Sequence, residues 1–180
     1  MYIWIGINVD QELQSIKPLI KATEDEIGFE HSVFTLPFHV SLKISFPAAP
    51  DTAESIISDI LNIYKGVKPF TLKVRGIENE GNICWIRMVE NKEIIGLSTR
   101  LNLFLEEKYG IPLHEYDLDF KFHTTLFMDN DKSKVARAHA MMEGVLPPAI
   151  LRAEKFVIGT SESGDLGTYK VIYEHRNSGL

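Results

Sequence analysis

Two short segments of the sequence place chemically useful side chains at every second position. Residues 38–46 read FHVSLKISF and residues 122–129 read FHTTLFMD, so both contain Phe, His, one further residue, a hydroxyl residue and Leu. Alternate residues of a β-strand share one face. We therefore expect two polar strand faces, each with an imidazole, a hydroxyl and an ammonium group: His39, Ser41 and Lys43 on the first, and Lys121, His123 and Thr125 on the second.

If the two faces meet, they form a small cationic cleft suited to a phosphate ester. One neutral imidazole can take a proton from water or a hydroxyl that attacks phosphorus, while an imidazolium opposite protonates the leaving oxygen. Histidine is the side chain whose ordinary pKa lies near neutrality, as both roles require. Hydroxyl groups two residues along each strand could donate hydrogen bonds to the non-bridging oxygens. This chemistry needs no metal, and the motifs supply too few ligands at the usual spacing for a zinc site.

The elements that must position these strands occur twice in the same order. After an opening strand over residues 2–9, the patterns predict a helix, a histidine strand, a helix and a hairpin, and then the same four elements again. His39 and His123 are 84 positions apart, and Gly76 and Gly159 are 83 apart. Near-constant spacing is typical of a repeated unit. We expect one domain over residues 1–180, with approximate repeat units 10–89 and 91–175.

This order predicts an α+β fold that is bilobal and has a pseudo-two-fold axis. Two antiparallel sheets should enclose a central cleft, with helices outside and the histidine strands facing each other. The residues that alternate with the polar ones should be buried: Val40, Leu42 and Ile44 in the first strand, and Phe122, Thr124 and Leu126 in the second.

Helix boundaries are predicted from capping residues. Asp10 should cap the first helix, Asp51 with Glu54 resembles a capping box, and Asn91 should cap a later helix. A final pair of strands is expected over residues 150–160 and 168–175.

Composition restricts the partners and the compartment. The net charge of −6 opposes non-specific coating of nucleic acid, although a local site for one phosphate remains open. The single cysteine, Cys84, excludes an internal disulfide and fits a reducing compartment. The opening MYIWIGINVD has no basic leader, and its apolar run is too short to span a bilayer. We expect a cytoplasmic protein without a membrane segment, and the oligomeric state is not set by the sequence.

The two His-x-Ser/Thr-Leu motifs, at residues 39–42 and 123–126, resemble those of the 2H phosphoesterase superfamily, which includes bacterial 2′,5′ RNA ligase-like proteins and 2′,3′-cyclic nucleotide phosphodiesterases. The resemblance extends over essentially the whole chain. It implies that His39 and His123 are the acid/base pair and that Ser41 and Thr125 bind phosphate, without a cofactor. Several ligase-like members carry an arginine shortly after the second motif, whereas Phe127, Met128 and Asp129 stand here.

The resemblance implies an enzyme: a metal-independent cyclic phosphodiesterase or 2′,5′ RNA ligase-like hydrolase. Its substrate would be a 2′,3′-cyclic nucleotide, an RNA end with a cyclic phosphate, or a 2′,5′ linkage. The alternative is a nucleotide- or RNA-binding module that keeps the phosphate cleft without turnover. The sequence leaves open which imidazole is the acid and which bond is cleaved.

Four further residues are candidate phosphate or base contacts, each with a simpler interpretation. Lys43 and Lys121 either bind phosphate or protect strand edges. Trp4 and Tyr2 either stack on a base or pack in the core, and the core is favoured. Arg87 and Tyr169 are further candidates on the hairpins, and the remaining histidines are interpreted as surface or packing residues.

Overall fold

The computed structural model describes residues 1–177, which form two four-stranded antiparallel sheets and five α-helices. The strands are β1 (Tyr2–Asn8), β2 (His39–Pro47), β3 (Phe70–Glu80), β4 (Ile83–Val89), β5 (His123–Met128), β6 (Ile150–Ala153), β7 (Lys155–Ser161) and β8 (Lys170–Arg176). The helices are α1 (Lys17–Ile27), α2 (Pro50–Lys65), α3 (Lys92–Tyr109), α4 (Glu115–Leu118) and α5 (Lys132–Met141), with one 3₁₀ turn at Val33–Thr35. The predicted α+β class with two antiparallel sheets is confirmed.

Both histidine strands lie at the edge of a sheet. The first sheet has the order β2-β1-β7-β8, and the second has the order β5-β4-β3-β6. Each sheet therefore takes strands from both predicted repeat units, since β3 follows α2 but lies in the second sheet, and β7 lies beside β1 in the first. Cα atoms of β2 and β5 approach within 8 Å of each other, so the two edges meet across a cleft.

The core is built from the apolar rows that the sequence shows. In β1, Ile3, Ile5 and Ile7 are fully buried, and the helices α2 and α3 pack their apolar stripes into the same core cluster. Each fully buried aliphatic side chain contributes about 1.5–3 kcal/mol relative to exposure. The strands that carry the motifs are therefore anchored to a large, rigid core.

Two predicted helix starts are wrong. The first helix begins at Lys17, and Asp10 instead accepts a hydrogen bond from the Phe38 backbone N–H at 3.1 Å, which ties the end of β1 to the start of β2. Helix α2 begins at Pro50 without a side-chain cap, because the preceding residue, Ala49, has no polar side chain; proline suits the first helical position because its N–H would have no partner there. The cap at Asn91 is confirmed, since its side chain accepts from the Ile94 N–H at 2.9 Å.

The strand expected over residues 150–160 divides into β6 and β7, which belong to different sheets.

Each histidine strand contains a β-bulge at the leucine of its motif. Opposite β1, Gly6 pairs with Ser41 while Ile5 pairs with Lys43, so Leu42 is an extra residue. Opposite β4, Trp85 pairs with Thr125 while Cys84 pairs with Phe127, so Leu126 is the extra residue. A bulge reverses the faces of the residues that follow it. The prediction that Ile44 is buried behind β2 is therefore wrong, and the other five predicted inner residues are buried.

Candidate active site

A cleft of about 270 Å³ lies between the two histidine strands. The segment before β2 and the turn before β8 form its other walls. Its polar lining includes the motif groups His39, Ser41 and Thr125, whereas His123 is not among the residues that line it. Its apolar lining includes Val33, Leu36, Phe38, Ile44, Met128, Leu166 and Tyr169. Polar groups of both motifs and an apolar wall therefore share one cavity.

The two motif histidines are held in the same way. His39 Nδ1 lies 2.8 Å from the carbonyl oxygen of Pro37, and His123 Nδ1 lies 2.5 Å from the carbonyl oxygen of Lys121. A carbonyl oxygen can only accept, so Nδ1 carries the proton in both rings. Within residues 1–177, neither Nε2 has a hydrogen-bond partner in the protein, which leaves both atoms free for proton transfer.

Burial shifts both imidazoles toward the neutral form. Desolvation lowers the pKa of His39 to about 4, against the opposing effect of the hydrogen bond to Pro37, and the neighbouring charge of His123 lowers it further. Desolvation also lowers the pKa of His123, where Arg87 adds to the effect and the Lys121 carbonyl and Glu80 oppose it. Both rings are therefore neutral in the free protein at neutral pH.

The motif hydroxyls differ in their partners. Ser41 Oγ accepts a hydrogen bond of 3.0 Å from the indole N–H of Trp4. Because a hydroxyl has one proton and two lone pairs, the Ser41 proton remains free to be donated. In the described part of the chain, Thr125 Oγ1 has no hydrogen-bond partner, so it too can turn toward a ligand.

Lys43 borders the cleft, but its ammonium group is bound to other residues and is not presented to a ligand, contrary to the strand alternation. The bulge turns it inward, where its side chain is 1% exposed. Lys43 Nζ donates to Asn102 Oδ1 at 2.8 Å, to Asp117 Oδ2 at 2.7 Å and to the Pro112 carbonyl at 3.3 Å. An ammonium group has three protons, so none is left for a phosphate. Here the strand-edge interpretation also fails, because the side chain is buried.

Three other candidate contacts lie elsewhere or have another role. Lys121 precedes β5, and its Nζ pairs with both carboxylate oxygens of Glu80 at 2.7 Å on the surface. Tyr2 packs over Gly164 and is not among the cleft residues. Trp4 does line the cleft, but it is only 5% exposed, which leaves no open ring face on which a base could stack. The core interpretation therefore describes Trp4 better than base contact does.

Two neighbours of the second motif lie on β4. Trp85 lies opposite Thr125 on β4, and its ring centroid is 4.2 Å from that of His123. Arg87, an unassigned candidate in the sequence, is opposite His123 and binds the Phe122 carbonyl and Glu90. The predicted hairpin contained Trp85, but its register against β5 was needed to place it beside the histidine. That register depends on tertiary packing.

Within residues 1–177, no three His, Cys, Asp or Glu side chains lie close enough together to form a metal site. None of the helices in that range is both long and apolar enough to cross a membrane.

Comparisons with known proteins agree with the motifs. A family model for the 2′-5′ RNA ligase superfamily matches residues 8–165. No curated protein sequence is close enough to count as a relative. The structure of E. coli LigT complexed with 3′-AMP is similar, with a TM-score of 0.65, 13% identity, and coverage of 97% of this chain and 96% of that one. A phosphoesterase crystal structure has a TM-score of 0.63, 14% identity and the same coverage.

The structural likeness shows a shared fold, and the family model matches most of the chain. The chain therefore belongs to the 2′-5′ RNA ligase superfamily, the group of 2H phosphoesterases that its paired motifs resemble.

Proposed function

We propose that the protein is a metal-independent phosphoesterase that hydrolyses a cyclic phosphate, in a 2′,3′-cyclic nucleotide or at an RNA end, or a 2′,5′ phosphodiester linkage. The observation that carries the proposal is the matched state of His39 and His123. Each ring has its Nδ1 proton bound to a carbonyl two residues earlier and its Nε2 free. Each also precedes a cleft-lining hydroxyl residue by two positions.

The proposed reaction moves two protons. One neutral Nε2 takes a proton from the water that attacks phosphorus, and the other Nε2, protonated, gives its proton to the leaving ribose oxygen. The P–O bond to that oxygen breaks as the new P–O bond to water forms, which yields a phosphate monoester from a cyclic phosphate. Each proton transfer contributes roughly 10²–10⁴ in rate.

The hydroxyl groups would hold the reacting phosphate. Ser41 and Thr125 donate to the non-bridging oxygens, where negative charge develops. The phosphate anion itself opposes the effect of burial, because a nearby negative charge raises the pKa of an imidazole. Substrate binding therefore supplies the imidazolium that the free protein lacks.

A nucleotide is the favoured substrate class. The apolar wall formed by Ile44, Met128 and Leu166 lies beside the motif groups, and an apolar wall suits a flat organic group attached to phosphate. Structures of the similar LigT include complexes with 3′-AMP and ATP, which supports the same ligand class here.

The cytoplasm is the proposed compartment, because Cys84 is a free, buried thiol.

One observation favours a second candidate, a nucleotide-binding module without turnover. Since burial lowers the pKa of both histidines, a ligand that fails to raise either pKa would find no general acid. Such a protein would bind a cyclic nucleotide and release it unchanged.

The test is a substrate panel in EDTA, with His123→Ala as the comparison. The panel contains 2′,3′-cyclic nucleotides, a short RNA with a cyclic phosphate end and a 2′,5′-linked dinucleotide. We expect chelator-resistant turnover of at least one substrate and a loss of roughly 10²-fold or more in the variant. Binding without product would favour the second candidate, and neither binding nor product would contradict both.

A further inference from the structure

Trp4 occupies a slot that the neighbouring strands keep open with glycine. A Cβ atom on Gly159, which pairs with Trp4 across β7, would lie 2.7 Å from the indole ring. A Cβ atom on Gly6 would lie 2.9 Å from the ring and equally close to the Val40 carbonyl oxygen. Glycine weakens a strand, so two of them beside one ring indicate that the position of this ring matters.

From this slot the ring contacts both polar groups of the first motif. Its centroid is 4.2 Å from that of His39, with an angle of 60° between the planes. Its N–H donates to Ser41 Oγ at 3.0 Å. An indole N–H can only donate, so Ser41 must accept here, and its own proton points elsewhere.

In the second half of the chain a tryptophan ring also contacts the motif histidine, but this tryptophan occupies a different position relative to its motif. Trp85 lies opposite Thr125, and the residue opposite Ser41 in the first half is Gly6. Trp4 stands two residues before Gly6 and reaches across it. Yet the ring of Trp85 is also 4.2 Å from its histidine, at an angle of 35°. An indole against each imidazole is therefore not a simple result of equivalent sequence positions.

We propose that Trp4 is a positioning residue of the active site. Its ring fixes the plane of the His39 imidazole, and its N–H holds Ser41 so that the hydroxyl proton is left for a phosphate oxygen. This inference rests on the proposed function, because it gives Ser41 a phosphate to bind. Trp85 supports His123 by ring contact alone, since its buried N–H has no hydrogen-bond partner within the described residues.

A double-mutant cycle on hydrolysis of a 2′,3′-cyclic nucleotide tests the coupling between Trp4 and Ser41. We expect Trp4→Phe and Ser41→Ala each to lower kcat/KM about tenfold, the size of one hydrogen bond to a charged group. The double variant should be no worse than Ser41→Ala, because phenylalanine keeps an aromatic ring beside His39 and the lost indole N–H acts only through that hydroxyl. In the matched control, the effects of Trp85→Phe and Ser41→Ala should multiply. Multiplied losses for Trp4→Phe and Ser41→Ala would overturn the proposal.

A second measurement needs neither turnover nor a variant at Trp4. The indole N–H proton resonance of Trp4 in the ligand-free protein should move when Ser41 is replaced by alanine, and should not move in Thr125→Ala. An unmoved resonance in Ser41→Ala would overturn the inference even in an active enzyme. If the resonance moves in Ser41→Ala but the wild-type protein neither hydrolyses a substrate nor binds inorganic phosphate, the hydrogen bond is supported and the proposed function is contradicted instead.

Discussion

At the scale of single residues, the decisive feature is a hydrogen bond that fixes the tautomer of each motif histidine. The sequence predicts His39 and His123 as the catalytic pair, because each precedes a hydroxyl residue and a leucine in a repeated pattern. It could not predict that the carbonyls of Pro37 and Lys121 bind Nδ1, since this depends on how the chain turns into each strand. Because these carbonyls bind Nδ1, the Nε2 atom of each ring is left free.

The low pKa of His39 predicts an acid-sensitive fold. The pKa of about 4 lies below the ordinary 6.5, so the unfolded chain binds more protons than the folded one between these values. Stability is full above about pH 6.5 and falls as the pH decreases toward 4. At pH 5 the loss from His39 should be about 2 kcal/mol relative to neutral pH.

Urea unfolding at pH 7.5 and pH 5 measures this loss. His39→Asn removes the titrating group while keeping an amide that can donate, so it should lose less stability on acidification than the wild type. The matched control His139→Asn, on α5 outside the cleft, should keep the wild-type loss. Equal losses in His39→Asn and the wild type would show that His39 is not desolvated.

Phosphate binding should be accompanied by proton uptake. Because burial lowers the pKa of His39 and of His123, both are neutral at pH 7.5, and an anion in the cleft raises both values. Calorimetry of inorganic phosphate binding in two buffers with different ionisation enthalpies measures the number of protons taken up. We expect net uptake in the wild type and less in His123→Asn, whereas a binding enthalpy independent of the buffer would contradict this prediction.

At the scale of secondary structure elements, the bulges at Leu42 and Leu126 determine what faces the cleft. Period-two alternation placed His39 and Ser41 correctly because both precede the bulge. It misplaced Lys43 and Ile44 because both follow it. A bulged residue leaves no clear mark in the sequence, since it depends on how β2 pairs with β1 and how β5 pairs with β4. The same applies to Trp85, whose role required the register between β4 and β5.

Replacing Lys43 should therefore act mainly on the free energy of unfolding. Its ammonium group and the Asp117 carboxylate form a buried pair, and Asp117 also accepts from the Ile44 N–H at 3.0 Å, just after the bulge. Lys43→Met leaves a buried carboxylate without its cation, which costs about 3–5 kcal/mol. The matched control is Lys121→Met, which breaks an exposed pair with Glu80 and should cost less than about 1 kcal/mol. If urea unfolding showed equal losses of stability for Lys43→Met and Lys121→Met, the conclusion that the bulge turns Lys43 into a buried ion pair would be contradicted.

At the scale of the whole molecule, the two sheets bring their edge strands together across one cleft. The sequence predicted the fold class and the facing histidine strands from element order and spacing. It did not predict that β6 separates from β7 or that each sheet combines strands from both predicted repeat units, because such pairing is decided by long-range contacts. We propose that the matching bulges reflect an internal duplication with units near 10–89 and 91–175.

The net charge should make the protein prefer short substrates at low salt. A protein of charge −6 repels a long RNA more than a mononucleotide, and salt screens that repulsion over a Debye length of about 10 Å at 0.1 M. We expect kcat/KM for an RNA with a cyclic phosphate end to rise relative to that for a cyclic mononucleotide as salt increases from low levels to 0.2 M. A steep fall of this ratio would instead indicate a basic RNA-binding surface.

The most direct test of two-histidine catalysis is the pH dependence of kcat/KM for a 2′,3′-cyclic nucleotide in EDTA. Catalysis by two histidines predicts a bell-shaped profile for the wild type, with one limb set by a group that must be neutral and the other by a group that must be protonated. His39→Ala and His123→Ala should each remove one limb and lower the maximum by roughly 10²-fold or more. A rate that does not vary with pH, or that survives either substitution, would contradict it.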